Sequence, residues 1–152
     1  MSKWRSLVEN SMIGDAAADA GGLYFADPAT TEEIRTLEQK LKTKFPKQFY
    51  EIYTDFDGVG LKYDDGEIIW WLLPLSKIED GTEGLRDSWT DDPKSEALAD
   101  KLIIFGDWYN GDVFGYRRSK SGAIKSTRIY QYEHEVGRID RLDSSLDKLL
   151  RG

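Results

Sequence analysis

One domain mixing helices with a sheet is the architecture this sequence predicts, and three features predict it. A pair of amphipathic helices fills Thr30 to Gly58, uninterrupted apolar runs stand at Ile68–Leu73 and Leu102–Phe105, and turn-rich polar stretches separate them. Apolar residues at a 3.6 period mark helices, whereas short runs of β-branched and aromatic residues bounded by turn residues mark strands. With 152 residues, including five Trp, eight Tyr and six Phe, folding buries roughly 70% of the unfolded chain's surface, enough for one core.

In chain order, Trp4, Leu7, Val8 and Met12 recur at helical spacing, so Ser2 to Met12 reads as one short amphipathic packing helix. Gly14 to Gly22 is small and polar and reads as a loop, Leu23-Tyr24-Phe25 as a short strand, and Asp27-Pro28 as the lead into the helix pair. Thr30 and Glu33 form a capping box: the threonine hydroxyl accepts from the Glu33 N–H and the carboxylate reaches back to the Thr30 N–H. Glu32 and Glu33 suit the positive end of the helix dipole. Ile34, Leu37 and Leu41 make the buried stripe and leave Arg35, Gln39 and Lys42 towards water. Phe45-Pro46 ends this helix, because proline disfavours the α conformation in the residue before it. The second helix presents Phe49, Ile52, Tyr53 and Phe56 before Asp57-Gly58 turns the chain.

Gly58 to Asp65 is turn-rich, and Ile68 to Leu73, stopped by Pro74, reads as a strand buried on both faces at the centre of the sheet, with Trp70, like Leu37, expected in the core. Leu102–Phe105 is a second buried strand, and the turn Gly106 to Asp112 leads to a third at Val113–Tyr116. Ser119-Lys120-Ser121-Gly122 reads as a hairpin turn and Ile124 to Tyr132 as a further strand. Ser144-Ser145 caps a terminal helix that docks Leu146, Leu149 and Leu150. No internal repeat, low-complexity segment or linker interrupts the chain.

Composition excludes several functions. No apolar run is long enough for a membrane span, and Lys3, Arg5 and Glu9 break any signal-peptide pattern, so a cytoplasmic location is expected. The chain has no cysteine and one histidine, His134, which removes disulfides, thiolate chemistry and multi-histidine metal sites. Net charge is −7 and the pI about 4.8, so nucleic acid and anionic membrane are repelled and a basic partner is attracted.

The candidate chemical groups are few. His134 lies between Glu133 and Glu135, carboxylates that favour imidazolium, and without an obvious nucleophile it reads as a structural or surface residue. Asp107 and Asp112 flank a turn that lacks the spaced oxygen ligands of a calcium loop, and turn chemistry accounts for them. The pairs Asp64-Asp65 and Asp91-Asp92 sit in polar stretches where adjacent carboxylates are ordinarily solvated. Arg117, Arg118, Lys120, Lys125 and Arg128 surround the predicted hairpin with no acid among them; they suit phosphate, but the acidic total favours a solvated face. No catalytic residue, metal or cofactor is implied, and no enzyme activity is expected. From Glu79 to Asp100, eight carboxylates face only Arg86 and Lys94, a local charge of −6 that includes Glu83, Asp87, Asp91 and Asp92 around Trp89. An aromatic ringed by charge has the composition of an interface hot spot, and equally that of a solvated loop with its tryptophan tucked into the core. A second acidic loop holds Asp64, Asp65 and Glu67.

The ordered set of these segments carries a resemblance. An acid-capped helix with Ile34, Leu37, Glu38 and Leu41, then Phe45-Pro46, Phe49, Ile52-Tyr53 and Asp57-Gly58, then IWWLLPLSKI from Ile69, then LIIFG from Leu102 with Gly111-Asp112 and Phe114-Gly115-Tyr116, then the Ser-Ser-Leu terminal helix, resembles the SUKH superfamily, the Smi/Knr-like domain. It spans about residues 23–150, with 1–22 as an N-terminal helix and loop joined to the same globular unit. The family often has glycine near Lys42, leucine before Pro46 and asparagine before Gly58, where this chain has Lys42, Phe45 and Asp57. The resemblance implies an α+β fold, a mostly antiparallel sheet with helices packed around it. It further implies an immunity protein that binds and neutralises a cognate bacterial toxin, or alternatively a regulatory scaffold related to fungal regulators of cell-wall synthesis. The expected partner is a basic toxin protein, with no nucleic acid or membrane and the chain a monomer; its contact residues are expected among Glu83, Asp87, Trp89, Asp91 and Asp92, or else Asp64, Asp65 and Glu67.

Overall fold

The computed structural model describes residues 3–87, 101–108, 110–135 and 138–152. Within them the chain runs α1 (Lys3–Glu9), α2 (Met12–Ala18), β1 (Leu23–Phe25), α3 (Thr31–Leu41), α4 (Lys47–Tyr53), β2 (Val59–Lys62), β3 (Ile68–Leu72), α5 (Leu75–Asp87), β4 (Leu102–Asp107), β5 (Val113–Arg117), β6 (Ile129–Glu133), β7 (Arg138–Asp143) and α6 (Leu146–Arg151). The seven strands form one sheet in sequence order, every neighbouring pair antiparallel. This is an α+β fold, as expected.

The N-terminal segment departs from its reading as one helix and a loop. The chain breaks at Asn10-Ser11 and restarts as α2, because Ser11 caps the new helix, its Oγ accepting from the Ile13 N–H and donating to the Val8 carbonyl. Gly14 allows the two helices to close up, since a Cβ there would lie 2.0 Å from the Glu9 carbonyl oxygen. Three alanines then sustain α2 without needing an apolar stripe. Trp4, Val8, Ile13 and Ala17 join the main core, and Lys3 pairs with Asp147 of α6 at 3.3 Å.

The helix pair follows its local signals. Thr30 and Glu33 make both bonds of the capping box, and Ile34, Leu37 and Leu41 are buried. α3 stops earlier than Phe45, at Lys42, which takes a left-handed conformation (φ 54°, ψ 47°) while the Thr43 N–H returns to the Glu38 carbonyl. The Asp57-Gly58 turn does more than reverse the chain. Asp57 Oδ1 accepts from the Leu75 N–H at the start of α5, and Tyr53 donates its hydroxyl to the Leu73 carbonyl, so the end of α4 clamps the β3–α5 junction. Gly58 is required there: its φ is +95°, and a Cβ would lie 2.8 Å from the Leu72 oxygen.

The expectation for β3 is corrected in two ways. β4, not β3, lies at the middle of the sheet and is buried along Leu102–Gly106, whereas Ile68, Ile69 and Trp70 are only half-buried. The register explains the tryptophans. Val59 pairs with Leu72 but Gly60 with Trp70, so Trp71 is the extra residue of a bulge; Trp71 and Leu72 both enter the core, and Trp70 faces away. β3 joins β4 only around Leu72–Gly106, and α5 packs beside the rest of β4. There the buried Thr82 hydroxyl accepts from the Ile104 N–H at 3.0 Å, substituting for the missing strand partner.

Beyond β5 the predicted turn at Ser119–Gly122 forms, closed by Gly122 N–H to the Ser119 carbonyl. The strand after it begins at Ile129 rather than Ile124. The intervening loop leaves the sheet to dock on the end of α3: Thr43 donates to the Gly122 carbonyl and Arg118 Nη1 to the Leu41 carbonyl at 2.7 Å. β7 was not foreseen, because its alternation of Arg138, Asp140 and Arg141 with Ile139 and Leu142 reads as polar; charge suits an edge strand, which it is.

Candidate functional site

The candidate site is the solvent face of β1–β3 together with the turn that joins β2 to β3. Leu23 and Phe25, Val59 and Leu61, and Trp71 pack on the main core, so Tyr24, Gly60 and Trp70, aligned across three strands, face away from it. Gly60 has no side chain to separate its neighbours, and the Tyr24 and Trp70 rings meet edge to face above it at 5.8 Å. Its own strand neighbour demands glycine, because a Cβ would lie 2.4 Å from the Ile69 oxygen.

Along the same hairpin the chain turns at Tyr63-Asp64-Asp65-Gly66, with Gly66 N–H bonded to the Tyr63 carbonyl and Gly66 at φ +87°. Asp65 Oδ1 accepts from the Glu67 N–H and stiffens the turn. Asp64 and Glu67 make no side-chain bond or ion pair among the described residues, and residues from Lys62 to Glu67 are exposed, Tyr63 among them. Three acids on a stiff turn, next to two half-exposed aromatic rings, form a surface that suits a cationic partner with an apolar spot.

The expected contact residues therefore divide. Asp64, Asp65 and Glu67 are brought together on one turn. Glu83 is exposed on α5, whose packing partners are β4 and α3. The backbone of Asp87 ends α5, so the first part of the acidic stretch is helix rather than loop. Trp89, Asp91 and Asp92 lie outside the described residues. Tyr24 and Trp70 were missed as surface residues. The signal was present in the alternation of Tyr24 between Leu23 and Phe25, but the bulge at Trp71 defeats alternation in β3.

His134 does not pair with its sequence neighbours. Its Nδ1 lies 2.6 Å from Asp112 Oδ1, which also accepts the His134 N–H, while Glu133 sits 3.8 Å from Arg138. The histidine bonds hold the Asp112 carboxyl below its ordinary range. Asn110, Asp112, Glu133, His134 and Glu135 line a depression of about 180 Å³. Among the described residues no group of three or more histidines or carboxylates is placed to hold a metal. A larger hollow of about 630 Å³ lies at the end of α3, where Glu38 accepts from the Tyr50 hydroxyl at 2.6 Å and the Phe45 N–H at 2.7 Å. Burial, then the bond to Glu38, pushes the Tyr50 phenol up to about 12. These contacts tie α3 to α4 and explain the hollow as a helix junction.

No helix among the described residues is long and apolar enough to cross a membrane. No curated protein matches the chain. The family model of the SMI1/KNR4 family (SUKH-1) matches residues 28–152, which takes in every element from α3 to α6. By that match over most of its length, the chain belongs to the SMI1/KNR4 family, SUKH-1.

Proposed function

We propose that this protein is an immunity protein, which binds a cognate bacterial toxin and blocks it by covering the surface the toxin needs. It acts by protein–protein contact in the cytoplasm and is not an enzyme. The observation that carries the reading is the unpaired acidic turn Asp64–Glu67 beside the Tyr24–Trp70 pair, on a chain of net charge −7. A toxin that acts on nucleic acid has a basic groove for phosphates, and a carboxylate-rich projection can occupy that groove in their place. Opposite charge also raises association rates, to on the order of 10⁸ M⁻¹s⁻¹ at low salt, which favours capture before the toxin acts. Family membership supports the same reading.

The test is co-expression with the polypeptide encoded next to this gene. Immunity requires that the chain restore growth when that neighbour is lethal, and that Asp64→Lys with Glu67→Lys slow association and flatten its salt dependence while the protein stays folded. A lethal neighbour that the chain neither binds nor neutralises would overturn the reading and favour a regulatory scaffold. His134→Ala is expected to leave rescue within a few fold; its complete loss with the fold intact would point to catalysis.

A further inference from the structure

The fold gathers on one side what the sequence scatters. Lys101 before β4, Arg117 and Arg118 at the end of β5, Lys120 and Lys125 in the loop, and Arg128 before β6 line one cleft of about 370 Å³, with Ser119, Ser126 and Tyr130 between them. Lys101 was not among the bases singled out from sequence, because the acidic stretch ending at Asp100 precedes it. Leu102 pairs with Arg117, which brings the start of β4 beside the end of β5.

Arg118 turns away to the Leu41 carbonyl and, with the Thr43–Gly122 bond, anchors the loop to α3. Among the described residues the other five cations make no ion pair. Arg117 has a further contact, its guanidinium 5.9 Å from the Tyr130 ring centre. No carboxylate is among the described residues that line the cleft. Holding five like charges around one hollow is unfavourable without an anion, and clustered phosphates match it best: several charges in a small volume, with acceptor oxygens for arginine and serine donors.

The size and the surroundings decide which anion. About 370 Å³ is within the range of small-ligand sites. A long nucleic acid would extend its remaining charges over an acidic molecule of net −7 and be repelled there. We therefore propose that this cleft binds a compact polyphosphate anion, either a nucleoside polyphosphate or a short inorganic polyphosphate, at a site separate from the acidic turn.

Calorimetric titration of the full chain with inorganic phosphate, tripolyphosphate, metal-free ATP and a single-stranded oligonucleotide tests this. Tripolyphosphate and ATP are expected to bind at least about tenfold tighter than phosphate, since each added charge finds another cation. Equal affinity for the two means that phosphates alone are read, and tighter ATP means that the nucleoside is held too. Arg117→Glu with Arg128→Glu is expected to weaken binding by about tenfold or more, while the equally charged control Lys40→Glu with Lys77→Glu changes it by no more than about twofold. If the arginine variant fails to fold in a thermal melt, Lys120→Ala with Lys125→Ala on the exposed loop replaces it, with a loss of several fold expected. Tripolyphosphate binding no better than phosphate, equal losses in cleft and control variants, or an oligonucleotide bound where tripolyphosphate and ATP are not, would each overturn the proposal.

Discussion

Trp70 and Trp71 are adjacent, yet their truncations should have opposite consequences. Trp71 is 1% exposed, and its ring lies 5.9 Å from that of Trp108 and 5.7 Å from that of Phe114. Replacing it with alanine removes a full aromatic side chain from a packed core, for which about 3–5 kcal/mol is expected. In a chain of this length each kcal/mol moves Tm by roughly 2–4 °C, so Trp71→Ala should melt roughly 6–20 °C early. Trp70 is half-buried on the opposite face and has one aromatic neighbour among the described residues, Tyr24. Its truncation should cost about 1–2 kcal/mol, from one edge-to-face pair and partial burial. If it anchors the proposed toxin interface, its loss should also speed dissociation, by about 2 kcal/mol or more in affinity. Urea melts and surface-based binding kinetics on the two variants separate these effects. A Trp70→Ala protein as unstable as Trp71→Ala would refute the assignment of faces, and one with wild-type dissociation would remove the aromatic pair from the interface.

Four other changes follow from particular contacts. The Tyr116 hydroxyl is buried without a hydrogen-bond partner and burial raises its pKa, so Tyr116→Phe should stabilise by about 1 kcal/mol; a comparable loss in a thermal melt would mean that the hydroxyl is satisfied. Burial raises the Asp57 pKa despite the Leu75 N–H bond, so the folded state holds this proton more tightly than the unfolded one and stability falls as pH rises through the folded value. Asp57→Asn keeps an acceptor for Leu75 and should flatten that fall in urea melts from acid to neutral pH; an unchanged profile would clear Asp57 of it. Thr82→Val leaves the Ile104 N–H unpaired and should cost about 1–3 kcal/mol at nearly constant volume, where a change below about half a kcal/mol would place water at that amide. Lys42→Gly should relieve roughly 1 kcal/mol of left-handed strain, partly offset by chain entropy, and raise the urea midpoint at constant slope; a lowered midpoint would show that the lysine side chain contributes more than its backbone costs.

What the sequence by itself determined was whatever is decided within a few residues of chain. The Thr30–Glu33 box, the Ile34–Leu37–Leu41 stripe, the Asp57-Gly58 turn and the Ser145 cap, which accepts from the Lys148 N–H, all form as the local pattern requires, since each partner lies within about one helical turn. The ordered set of these segments was also enough to identify the family. Only the tertiary structure decided which surface each residue meets. Trp70 faces out because strand pairing inserts a bulge at Trp71, and β4 is central because β5 pairs along one edge of it while β3 and α5 share the other, facts that no window of six apolar residues contains. Asp112 reaches His134 across 22 residues of sequence. Lys101 joins Arg117, Lys120, Lys125 and Arg128 because β4 and β5 pair. Charge and hydrophobicity are properties of a residue and can be read along the chain, whereas the face a strand residue presents depends on register, which is set by partners far away in sequence.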